Sequence, residues 1–62
     1  MSIQIGDVIV YEHKDALDGR KWSCKVGRIN GDWHHDINEG KCNSSSFQLS
    51  KVIIWEHHKA GK

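Results

Sequence analysis

The stretch KWSCKVGRINGDWHHDI, residues 21–37, decides the fold. Its first half alternates apolar and polar side chains, with the apolar positions at Trp22, Cys24 and Val26. This period of two predicts a strand with one buried face, and Gly27, which interrupts it, predicts a β-bulge that bends the strand. Asn30-Gly31 predicts a tight hairpin turn, because a type I′ turn requires positive φ at both central residues. The stretch is therefore predicted to form a bent β-hairpin.

The returning strand DWHHDI contains two adjacent histidines, which strand geometry separates. Successive side chains point to opposite faces, so Trp33, His35 and Ile37 share one face and His34 and Asp36 share the other. The apolar members of the first set predict that it faces the core, with His35 partly buried and His34 exposed. The two histidines then cannot bind one metal ion together. His34 with Asp36 remains half of a metal site that needs two further ligands.

The rest of the chain adds three short strands and two polar connections. In IQIGDVIVYEH the alternation places Val8 and Val10 on one face and Ile9 and Tyr11 on the other. KDALDGR and NEGKCNSSS read as loops, and SFQLSKVIIWEHH supplies two strands with a turn near Ser50-Lys51. Five short strands without a helix predict an all-β, five-stranded barrel over 1–56, followed by a flexible tail over 57–62.

Composition places the chain among single soluble domains. It has 62 residues, of which 37% are hydrophobic and 27% charged, and no apolar run approaches the ~20 residues of a membrane span. The N-terminus has no pattern of a secretory signal, so a cytoplasmic location is expected. In that reducing compartment Cys24 and Cys42 are expected to be free thiols.

Charge and residue types argue against several chemistries. Nine basic and eight acidic residues give a net charge of +1, less than a dedicated nucleic-acid domain usually carries. Nothing in the sequence brings a nucleophile to the histidines, so we expect no catalysis, and we expect no metal and no cofactor. Three tryptophans, with Tyr11 and Phe47, exceed what a small barrel interior can hold. Some should be partly exposed, as anchors of a binding surface are.

The order of these segments resembles the SH3-like small barrels of the Tudor, Agenet and KOW type. In those families a Gly-Asp opens the first strand, a DG-x-W/Y-x-A-x-V-x-x-I strand follows, and a short V-x-L-s-x-L segment closes the barrel. The matching positions here are Gly6, Asp7, Asp18, Gly19, Trp22, Cys24, Val26, Ile29, Phe47, Leu49 and Val52. The resemblance implies a single five-stranded SH3-like barrel that binds a ligand.

The resemblance carries three functional implications. Tudor-like domains read methylated lysine or arginine in an aromatic cage, to which Trp22 and Tyr11 would contribute walls. KOW-like domains bind RNA or transcription machinery through basic residues, here Lys14, Arg20, Lys21, Lys25 and Arg28. The segment SFQLSKVIIWE also resembles, more weakly, the V-Q-I-Y pore segment of plasmid-encoded type II dihydrofolate reductases, with Ser50 in place of the tyrosine.

The expected function is a non-catalytic binding module, a small accessory or phage-type regulator that occupies a protein partner. The alternatives are a KOW-like module for nucleic acid, RNA or DNA, and, less favoured, a reductase. The contact surface is expected in the groove between the 12–21 loop and the 38–46 loop. Its predicted anchors are Tyr11 and Trp22, its predicted rim charges are Arg20 and Lys21, and Lys25 and Arg28 extend a basic stripe. The oligomeric state stays open.

Overall fold

A computed structural model of the protein describes residues 2–41 and 44–61. The described chain is all-β, as predicted, with β1 Val8–His13, β2 Lys21–Asn30, β3 Trp33–Asp36, β4 Ser46–Gln48 and β5 Val52–His58. A single 3-10 turn, Leu49–Lys51, links β4 to β5 at the position where the sequence predicts a turn. No helix within these ranges is long and apolar enough to cross a membrane.

The strands form one antiparallel sheet in the order β4-β3-β2-β1-β5. Within the described residues no ladder joins β4 to β5, so the closure predicted for a barrel is not present in the hydrogen bonding. The sheet nevertheless curls. The rings of Tyr11 on β1 and Phe47 on β4 lie 4.5 Å apart between centroids, although β2 and β3 separate their strands in the ladder. The two halves of the sheet therefore face each other across the core.

The core is small and lies on the concave side of this sheet. Its buried apolar members are Ile9, Tyr11, Cys24, Val26, Phe47 and Val52, with Ile3 and Ile54 packed against them. The alternation in β2 correctly predicts that Cys24 and Val26 turn inward, and in β1 the inward face is the one that carries Ile9 and Tyr11. Burial of an aliphatic or aromatic side chain contributes roughly 1.5–3 kcal/mol to the free energy of unfolding. A core of this size therefore gives a domain of low stability.

The bulge predicted at Gly27 is present. The register between β2 and β3 shifts between Val26 and Arg28. A Cβ atom on Gly27 would lie 2.5 Å from the Cα atom of Ile37, far inside van der Waals contact. Glycine is thus required because the end of the hairpin crosses β2 closely at the point where that strand bends.

The hairpin turn lies one residue later than predicted. Asn30 pairs with Trp33, so the two turn residues are Gly31 and Asp32, and Gly31 adopts the left-handed φ of +62°. Asn30 is the last residue of β2 rather than the first residue of the turn. The Asp32 carboxylate connects this turn to the 3-10 turn before β5, because it accepts hydrogen bonds from the Ser50 hydroxyl and the Ser50 backbone N–H.

The faces of β3 are the reverse of those predicted. His34 and Asp36 are buried, whereas Trp33 and Ile37 are 45% and 57% exposed. Cross-strand partners share a face, and Val26, which is buried, pairs with Asp36, so Asp36 and His34 lie on the inner face. The prediction was wrong because it placed Trp33 and Ile37 inward on their apolar character alone. The His34 ring stacks on Phe47 with 5.0 Å between centroids, so an imidazole takes a place that the apolar pattern assigned to Trp33.

The C-terminal segment differs from the flexible tail predicted over 57–62. β5 continues to His58, and the backbone N–H of Ala60 donates to Asp7 Oδ1 at 2.8 Å. His57 Nε2 lies 2.7 Å from Asp7 Oδ2, which also accepts from the Gln4 N–H. The buried Asp7 carboxylate therefore ties the start of the chain to its end.

Candidate binding surface

Trp22 lies at the start of β2, on the strand face that also carries Cys24, and its side chain is 38% exposed. The Arg20 guanidinium lies over the ring, 4.3 Å from its centroid. The preceding loop positions this cation, because the Arg20 backbone N–H donates to Asp18 Oδ1 at 3.0 Å. A cation over an indole at an exposed site is worth about 0.5–1 kcal/mol. The structure thus brings two predicted residues together, here named the Trp22 pair.

Lys21 belongs to a different cluster, because neighbouring strand residues point to opposite faces. Its Nζ atom lies 4.5 Å from the centroid of the Trp55 ring. The Trp55 indole N–H donates to Glu12 Oε1 at 3.0 Å, and Glu12 stands opposite Lys21 in the β1–β2 ladder. Trp55 is 54% exposed. Glu12, Lys21 and Trp55 form the Trp55 cluster, in which the acidic side chain lies beside the basic one.

The predicted basic stripe is divided. Lys25 is exposed on β2 opposite Val8. Beyond the bulge, Arg28 forms two hydrogen bonds with the Glu39 carboxylate, of 3.0 and 2.5 Å. The Arg28 guanidinium lowers the pKa of Glu39, and the Glu39 carboxylate raises the pKa of Arg28. Acidic side chains therefore accompany both Lys21 and Arg28, and the surface is not a continuous positive stripe.

Tyr11 is not available as a surface anchor. Its side chain is 1% exposed, packs against Phe47, and meets the His13 ring edge-on at 5.4 Å. Burial raises the pKa of its hydroxyl. Trp22 is its cross-strand neighbour, but only the tryptophan reaches solvent. The prediction of Tyr11 as a binding residue is therefore corrected, and the two rings do not form walls of an open cage.

The described residues enclose no pocket. The groove predicted between the 12–21 and 38–46 loops involves residues 42 and 43, which lie outside the described ranges, as does the thiol state of Cys42. Ser45 has a structural contact, because its hydroxyl donates to the Ser23 carbonyl at 3.2 Å.

Cys24 is a free, buried thiol. Burial raises its pKa to about 11, so the thiolate that a nucleophile requires is scarce at neutral pH. Within the described ranges no three His, Cys, Asp or Glu side chains cluster as metal ligands would. The contacts that the described surface residues make are aromatic and ionic.

Trp55 and Trp33 are surface residues that the sequence did not predict as such. Trp55 ends the apolar run VIIW, which reads as core, and the only available signal was that the tryptophans outnumber the places in a small interior. Trp33 was missed because its apolar character, with that of Ile37, assigned it to the core face. Its ring stacks against His35, with 6.2 Å between centroids, on the exposed side of β3.

No family model, curated protein or solved structure matches this chain. Function is therefore inferred from the geometry of the surface residues.

Proposed function

We propose that the protein is a non-catalytic binding module of the SH3-like small-barrel type, which occupies a protein partner through the Trp22 pair. The strand order β4-β3-β2-β1-β5, the bend of β2 at Gly27 and the 3-10 turn before β5 support this barrel type. The contact between Tyr11 and Phe47 supports it further, because it brings the two halves of the sheet face to face.

One observation carries the binding role. All three tryptophans are at the surface, with exposures of 38% for Trp22, 45% for Trp33 and 54% for Trp55. A tryptophan side chain stabilises a fold by burying a large apolar area. In a domain with so small a core, three exposed tryptophans leave that stabilisation unused, which is typical of residues that bind a partner. Tryptophan and arginine are also the residues most enriched where protein interfaces are strongest. The Trp22 pair combines both.

The cation over Trp22 selects among ligand classes. A methylated lysine would compete with Arg20 for the same ring face, so the pair is less suited to a cation than to a partner that offers carboxylates and apolar contact. Nucleic acid is the second candidate, through Lys21 and Lys25. It is less favoured because Glu12 and Glu39 accompany the basic side chains and the net charge is +1.

Affinity capture with the full chain tests the proposal. The tagged protein is incubated with nuclease-treated lysate of the organism that encodes it, beside Trp22→Ala and the matched control Trp33→Ala. A protein partner should be retained by the wild type and the control. Its affinity should fall by roughly 2 kcal/mol or more for Trp22→Ala, because a central anchor is removed. Equal retention by both variants would contradict the role of Trp22.

A salt titration separates the two ligand classes. If the partner is nucleic acid, binding to a generic oligonucleotide at ~150 mM salt should be tight, should disappear on reversing Lys21 and Lys25 to glutamate, and should weaken linearly in log salt. For a protein partner these charges lie on the rim and mainly change the association rate. We expect the second outcome. If the protein binds the oligonucleotide tightly and Trp22→Ala does not change that affinity, the proposed function is wrong and nucleic-acid binding is supported instead.

A further inference from the structure

The free edge of β5 is long and mostly apolar. β5 pairs with β1 on one side and, within the described residues, with no strand on the other. Its sequence is VIIWEHH, and the first four residues carry no charge and no proline. Unpaired edges of this kind are templates for further pairing, and stable monomers usually protect them with lysine, proline or very short strands. The edge is therefore suited to receive another strand.

A register shift sets the faces of this edge. Tyr11 pairs with Ile54 and Val10 with Glu56, so Trp55 is the extra residue of a β-bulge. Ile53 lies opposite Glu12 on the convex face, and Glu56, opposite Val10, lies on that same face. Without the bulge, Ile53 and Glu56 would point to opposite faces, because they are three residues apart. Because of the bulge, the acidic side chain of Glu56 lies on the same face as Ile53, near the end of the edge.

We propose that the occupant is a second copy of this chain, paired β5 to β5 in antiparallel orientation about a two-fold axis at Ile53. In this register Ile53 faces itself, and Val52 faces Ile54 of the second copy. With Trp55 bulged in both copies, Lys51, the last residue of the 3-10 turn before β5, comes opposite Glu56 of the second copy. The two-fold axis repeats each contact, so apolar side chains meet apolar side chains and each Lys51 meets a Glu56 of the other copy.

Pairing in this register joins the two sheets into one and places the Trp55 clusters of both copies on the same convex face. The inference is independent of the proposed function, which uses the Trp22 pair. A module with two identical surfaces would bind a repetitive or dimeric partner more tightly than one copy does, because the second contact becomes intramolecular.

Sedimentation equilibrium of the full chain over a wide concentration range tests this assembly. The mass should rise with concentration from the 7.1 kDa of one chain to twice that value. Ile53→Lys places two lysines on the axis and should raise the dissociation constant by about tenfold or more. The matched control is Ile37→Lys, which changes another exposed isoleucine, 57% exposed and away from the edge, and should dimerise as the wild type does.

A charge exchange tests the register and keeps the experiment decisive if Ile53→Lys does not fold. Lys51→Glu and Glu56→Lys should each weaken the dimer by about threefold or more, and the double variant should recover it. Hydrogen exchange at the Ile54 amide should slow as concentration rises. A wild type that keeps the mass of one chain at every concentration would overturn the proposal. So would a folded Ile53→Lys variant that dimerises normally, or a charge exchange without recovery.

Discussion

Three buried polar residues hold segments of this fold in place. Asp7, His34 and Asp36 are all buried. Asp36 Oδ1 accepts from the Asn38 N–H at 2.8 Å, and His34 Nδ1 lies 3.1 Å from the Asp32 carbonyl. Because buried polar groups are costly without partners, each fixes the position of the segment that it contacts.

The Asp7 carboxylate predicts a defined pH dependence of stability. Its hydrogen bond with His57, and next those with the Ala60 and Gln4 N–H groups, lower its pKa from 3.8 to about 2. A depressed folded pKa contributes stability that is fully present above 3.8 and is lost as the pH falls towards 2. Asp7→Asn should therefore melt at a lower temperature than the wild type at pH 7, and the difference should shrink in acid. Thermal melts between these pH values measure it.

The control for this comparison is Asp15→Asn, which changes an exposed aspartate in the loop before β2. It should leave the melting temperature at pH 7 unchanged. A melting temperature for Asp7→Asn equal to that of the wild type at pH 7 would mean that the Asp7 contacts do not stabilise the fold.

The inverted face of β3 gives a second prediction at this scale. His34→Ala removes a ring that is 4% exposed and stacked on Phe47, so it should reduce the free energy of unfolding by about 2 kcal/mol or more. Trp33→Ala, at 45% exposure, should have a much smaller effect. Chemical denaturation of both variants measures the difference. A larger loss of unfolding free energy for Trp33→Ala than for His34→Ala would mean that Trp33 faces the core, as the apolar pattern predicts.

At the scale of elements, β2 organises the molecule because it belongs to both halves of the sheet. It pairs with β1 up to Lys25 and with β3 from Val26 onward, and Gly27 bends it between the two. The sequence predicted this element well, since alternation, a glycine that interrupts it and a turn dipeptide are local signals. The hairpin turn lies one residue later than predicted, because both Asn30-Gly31 and Gly31-Asp32 supply residues that turns favour.

The hairpin turn predicts a distinct response at two adjacent residues. Gly31→Val should lower the free energy of unfolding by more than about 1 kcal/mol, because a β-branched residue cannot easily hold the φ of +62°. No atom lies within 4 Å of a Cβ built on Gly31, so backbone strain, not steric contact, is the cause. Asn30→Thr should be tolerated, because Asn30 is a strand residue paired with Trp33. Equilibrium denaturation measures both variants. A larger loss of stability for Asn30→Thr than for Gly31→Val would indicate that Asn30 belongs to the turn.

For the molecule as a whole, the closing contact joins the two chain ends. The turn at residues 4–7 and the segment after β5 meet at Asp7, and Gly6 lies so close to Ala60 that a Cβ atom would come within 2.9 Å of the Ala60 Cβ atom. With so few apolar residues in the core, this polar contact carries a larger share of stability than it would in a bigger domain.

Removal of residues 59–62 should therefore destabilise the protein. The truncation deletes the Ala60 N–H that donates to Asp7, and the carboxylate loses one of its partners while buried. Thermal unfolding of the truncated chain should show a lower midpoint, whereas Lys59→Ala in the full chain should not. A truncated chain as stable as the wild type would support the predicted flexible tail instead.

The sequence by itself determined the all-β class, the inward face of β2, the bulge at Gly27 and the turn near Ser50. Each depends on alternation or on the backbone preference of one or two residues, which are local properties. The tertiary structure decided the face of β3, the burial of Tyr11, the partners of Lys21 and Arg28, and the closing contact of Asp7 with His57 and Ala60. These depend on the register between strands and on residues distant in sequence, and an apolar pattern cannot specify which of two registers satisfies the buried polar groups.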